Sequence, residues 1–141
     1  MDLGKVYKIV KKNWNFDIEL VILNKEKMKF NADIVAEKYF PGNCVIEGTV
    51  YPNGTHHVFF TFRRVDMNFQ TLVKINSFNG NNSFFKSYVV ERDGETYFEL
   101  HYTSLNASNE KEVASSINWA IDNLISDSNL EYLSPIFKEI Y

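Results

Sequence analysis

Residues 69–102 decide how this chain is built: Phe69-Gln-Thr-Leu-Val-Lys-Ile-Asn76-Ser-Phe-Asn79, then Phe84-Phe85-Lys-Ser-Tyr88-Val-Val, then Asp93-Gly94, then Tyr97-Phe-Glu-Leu-His101-Tyr102. The first part reads as a short amphipathic helix and the rest as an aromatic β-hairpin. The helix is expected over residues 67–78, with Asp66 as its cap and the polar run Asn79-Gly-Asn-Asn82 closing it. Strands are expected at 84–91 and 95–103, joined through Arg92-Asp93-Gly94. Alternation turns Phe98, Leu100 and Tyr102 toward a helix, and Glu95, Tyr97, Glu99 and His101 outward or toward another subunit.

Upstream, Leu3, Val6, Tyr7 and Val10 recur at helical spacing over residues 2–13, with Asp2 as a cap and a lysine stripe at Lys5, Lys8 and Lys12. A meander follows. Ile18, Leu20 and Ile22 share a face in 17–23, and Asn24–Lys27 turns the chain. In 28–36, Met28, Phe30, Ala32, Ile34 and Ala36 alternate with more polar neighbours. After the Pro41-Gly42 turn, residues 44–51 and 56–65 pair across Pro52-Asn53-Gly54-Thr55, where Asn-Gly predicts a type I′ turn. Val58, Phe60 and Phe62 face one way and Phe59, Thr61 and Arg63 the other, as in a central strand or one covered by a partner.

Downstream, Asn109-Glu-Lys-Glu112 has capping-box spacing, and Val113, Ile117, Ala120, Ile121, Leu124 and Ile125 form an apolar stripe. Ser126–Asn129 interrupts it before a last segment carrying Leu130, Leu133, Ile136, Phe137 and Ile140, with Ser134-Pro135 opening a short helix. The order helix, strands, helix, hairpin, helix makes one α+β domain with an antiparallel sheet.

The helix and hairpin resemble the bacterial YbjN-like family, named for a sensory-transduction regulator and sharing the fold of type III secretion chaperones. Leu72-Val73-Lys-Ile-Asn76-Ser-Phe-Asn79 fills the family's Leu-Val-x-x-Asn-x-x-Asn helix, Ser83-Phe84-Phe85 opens its aromatic strand, Asp93-Gly94 makes its turn and Val113–Ile125 is its long helix. The resemblance spans roughly residues 66–141. Two long strands within 17–38 and the break near Ser126–Asn129 depart from the pattern. The resemblance implies a non-enzymatic module, often dimeric, that binds protein segments.

Composition narrows the chemistry. The 141 residues suffice for a single domain that needs no disulfide or metal to hold a core. Net charge is −3, which gives no reason to bind nucleic acid. No apolar run reaches membrane-spanning length, the N-terminus lacks a signal-peptide core, and Cys44 stands alone, so a cytoplasmic location is expected. The sequons at Asn53, Asn81 and Asn106 read as chance matches in an Asn-rich chain.

Few groups invite catalysis. His56 and His57 point to opposite faces of a strand and cannot chelate one metal together, and His101 lies on another strand. Glu91, Asp93, Glu95 and Glu99 read as a solvated edge, Cys44 as a small buried thiol, and Gly80 and Gly94 belong to no phosphate loop. No catalytic, cofactor or metal residues are therefore assigned. The surplus of aromatics is the better guide. Trp14, Phe59, Tyr88, Tyr97 and Trp119 fall off the core faces and are the expected contacts for a protein partner. The expected function is a homodimeric chaperone- or adaptor-like module that uses aromatic sheet surface or strand edges. An acidic inhibitor or immunity protein steered to a basic enzyme is the alternative, and a helix–sheet pocket for a small molecule a third.

Overall fold

A computed structural model describes residues 1–35, 43–62, 68–81, 84–105 and 107–124. Along the chain run α1 (Leu3–Asn13), β1 (Ile18–Leu23), β2 (Met28–Val35), β3 (Asn43–Val50), β4 (His56–Phe62), α2 (Phe69–Asn81), β5 (Lys86–Arg92), β6 (Glu95–Ser104) and α3 (Glu110–Leu124). The strands form one antiparallel sheet in the order β1-β2-β3-β4-β6-β5, so the chain is α+β with helices N-terminal, mid-chain and C-terminal. The expectations for Ala36, the Pro41-Gly42 turn, residues 63–65, Asp66, Asn82, Ser83, Asn106 and everything from Ile125 onward lie outside the described residues.

Side chains satisfy the first N–H groups of each helix. Asp2 Oδ1 accepts from the Lys5 N–H at 3.1 Å and Asn109 Oδ1 from the Glu112 N–H at 3.0 Å. Asn68 Oδ1 caps α2, accepting from the Thr71 N–H at 2.9 Å. The Glu112 carboxylate turns back to the Ser108 N–H at 2.8 Å, one residue beyond the partner a capping box uses. Helix α2 does not stop at Asn79. That side chain accepts from the Ser87 N–H at 2.7 Å and donates to its carbonyl at 2.9 Å, clamping the last turn of α2 onto β5.

The type I′ turn expected at Asn53-Gly54 is found instead at Asp93-Gly94. Asp93 (φ 51°) and Gly94 (φ 77°) are both left-handed between the paired Arg92 and Glu95, which is the type I′ geometry. In the Asn53-Gly54 loop only Gly54 (φ 91°) is left-handed. Asn53 instead uses its side chain to accept the Thr55 N–H at 3.0 Å, and the loop widens to close through a Tyr51–Thr55 backbone bond. Strand β1 also departs from simple alternation. Leu20 pairs with Phe30 but Ile22 with Lys29, so a bulge at Val21 breaks the shared face, and Leu20 is left exposed.

One sheet face carries the core. Met28, Phe30, Ile46, Val58, Phe60, Phe62, Phe98 and Leu100 are buried there beneath Val6 and Val10 of α1 and Val113, Ile117 and Ile121 of α3. Phe30 lies over Gly48, its partner across β2 and β3, where a Cβ would come within 2.1 Å of the ring. α1 and α3 run side by side in the same direction. The Asp2 N–H donates to Glu110 at one end, and Trp14 Nε1 donates to Asn118 Oδ1 at 2.9 Å further along.

Candidate functional site

The helix-side face is closed by hydrogen bonds as well as by packing. His56 is fully buried, with Nδ1 2.8 Å from the Gly54 carbonyl and Nε2 2.7 Å from Ser116 Oγ. A carbonyl only accepts, so Nδ1 carries the proton, Nε2 accepts from Ser116, and the Tyr102 hydroxyl donates to Ser116 at 2.7 Å. Burial pushes the His56 pKa below its ordinary value. This Ser–His contact has no carboxylate behind it and its imidazole is sealed from solvent, so it fastens α3 to β4 and lacks the geometry of an activated nucleophile.

The opposite face is bare of described helices. Three rows cross its centre, set by strand register: His57 beside Thr103; Phe59, His101 and Lys86; Thr61, Glu99 and Tyr88. Phe59 stacks on His101 with centroids 4.2 Å apart and planes at 8°, and His57 lies 5.3 Å from the same imidazole. Tyr51 meets His57 edge-on. The result is a stripe of rings across β4 and β6, half-buried except for the exposed Tyr51.

Beside the stripe lies a buried carboxylate. Glu99 is 2% exposed, which corrects its reading as solvent-facing. Tyr88 donates to Oε1 at 2.7 Å, and Thr61 and Arg92 donate to Oε2 at 2.9 and 3.1 Å. Strand β6 is interior, between β4 and β5, so donors flank Glu99 on both sides. Burial first, and the Glu99 carboxylate second, push the Tyr88 phenol far above its ordinary pKa, keeping it a donor. Three donors on one carboxylate make a rigid support for the rings around it.

The five expected contact residues separate into two groups. Phe59, Tyr88 and Tyr97 share the bare sheet face, where Tyr97 donates to Glu95 at 2.8 Å. Trp14 and Trp119 lie on the helix side and line one open groove with Asn13, Ser115, Asn118 and Asp122. Trp119 is 38% exposed and packs edge-on to Phe84 at 4.9 Å. His57, His101, Thr61 and Glu99 complete the sheet-face cluster; alternation turns Glu99 and His101 outward with Tyr97 and sets Thr61 on the face of Phe59, but the pairing of β4 with β6 is what joins them. Phe69, Leu72 and Val73 on α2 are exposed as well.

Among the described residues no helix is long and apolar enough to cross a membrane. No family model matches the chain, and neither a curated protein nor a solved structure matches it.

Proposed function

We propose that the chain is a non-enzymatic, chaperone- or adaptor-like module that holds a segment of another protein against the outer sheet face around Phe59, Tyr88 and Tyr97. One observation carries this reading: a row of half-buried rings lies on a sheet face that no described helix covers. Aromatic side chains with polar tips suit such contacts, because they supply area at low cost in side-chain entropy. The Glu99 network supports the reading by holding Tyr88 in one orientation before a partner arrives. The same proposal takes the module to be cytoplasmic and dimeric, as the YbjN-like resemblance implies.

The test is a comparison of variants in native lysate and by light scattering. Phe59→Ser with Tyr97→Ser should release a partner that the unmodified protein retains, while Trp119→Ala should keep it. A strictly monomeric protein that retains nothing, or one whose partner ignores the sheet-face changes, contradicts the proposal.

A further inference from the structure

On the same sheet face, three donor atoms converge in a way that protein recognition does not require. His57 Nδ1 lies 3.1 Å from His101 Nε2, and Thr103 Oγ1 lies 3.0 Å from the first and 2.8 Å from the second. Ligand bonds of about 2.1 Å at right angles place neighbouring donors about 3.0 Å apart, so the triangle has the dimensions of one face of an octahedral centre. The rings are held in place. Phe59 stacks flat on His101, and Tyr51 sets its edge against His57. Thr103 is exposed and both imidazoles are half-buried, so solvent reaches the cluster.

We propose that His57 Nδ1 and His101 Nε2 chelate a divalent first-row transition cation of the kind imidazole favours, with the Thr103 hydroxyl as a third, weaker donor and water filling the remaining positions. No three side chains among His, Cys, Asp and Glu gather as a metal-holding group among the described residues, so the site is a two-imidazole chelate of modest affinity. The hard cations Mg²⁺ and Ca²⁺ prefer oxygen and are refused. The sequence pairs His57 with His56, but the structure sends His56 into the core and brings His57 to His101 across two strands. The inference does not depend on the proposed partner.

Calorimetric titration of the intact protein with Ni²⁺, with Mg²⁺ as control, tests it. One equivalent of Ni²⁺ should bind with a Kd on the order of micromolar, and His57→Gln and His101→Gln should each weaken binding by about tenfold or more. Thr103→Val should cost less than either. Paramagnetic broadening by Ni²⁺ in the unaltered protein is a second readout that needs no variant, and it should centre on His57, His101 and Thr103. Absence of binding at millimolar Ni²⁺, binding indifferent to both histidine changes, or broadening centred elsewhere overturns the proposal.

Discussion

The Tyr88 hydroxyl donates to Glu99 Oε1 at 2.7 Å across strands β5 and β6, and that carboxylate is 98% withdrawn from solvent on the face opposite the helices. A buried carboxylate on a sheet face that no described helix covers needs donors on both neighbouring strands, and the interior position of β6 supplies them. The rings of Phe59 and His101 are stacked one row away, where the strands on either side hold them.

Removing the carboxylate should therefore cost far more than an ordinary surface change. Glu99→Ala is expected to lower stability by about 2–3 kcal/mol, because three donors lose their acceptor. Arg92→Ala should cost under about 1 kcal/mol, since its side chain is 51% exposed and solvent screens the pair. Urea denaturation of both variants measures the difference.

Acid should weaken the fold through the histidines. Burial lowers the His56 and His101 pKa values from 6.5, so between 6.5 and the lower folded values the unfolded chain binds protons that the native chain refuses. Stability is then full above about pH 6.5 and falls as pH drops below it. Melting temperature against pH should show this slope, and His56→Gln with His101→Gln should flatten it.

Gly48 should not tolerate a side chain. A Cβ would sit 2.1 Å from the Phe30 ring, inside a filled core, so Gly48→Ala should destabilise by about 1–3 kcal/mol. Phe30→Leu in the same chain should recover part of that loss, and a double-mutant cycle by denaturation reads the coupling.

Cys44 should behave as a buried hydrophobe. It is fully buried, and desolvation pushes its thiol pKa well above the ordinary value. A thiol reagent such as Ellman's should react with the native protein only as fast as the core opens, and at once in denaturant.

Local pattern made much of the fold legible. The Met28, Phe30, Ala32, Ile34 alternation and the caps at Asp2 and Asn109 marked their elements because each signal lies within a few residues. Strand order is not local. Nothing near Glu99 in sequence says that Thr61 flanks it, since Thr61 lies beyond α2, whereas Tyr88 is its neighbour across the hairpin. The carboxylate therefore read as solvated, and His101 as unconnected to His57. The extension of α2 through Asn79 was hidden for the same reason. Asn is a poor interior helix residue, and here Ser87 on β5 occupies its side chain. Likewise, the Asn53-Gly54 signal was sound as a hairpin but not as a turn type, because Asn53 turned its side chain to Thr55.

Photo-crosslinking reads whether the ring-bearing sheet face takes a protein partner. A photoreactive side chain would replace Tyr97 on the ring-bearing face, and a control would replace Lys8, exposed on α1. Irradiation in native lysate should give a discrete adduct from position 97 and none from position 8. Adducts from both positions alike, or from neither, would contradict the assignment of that face to partner binding.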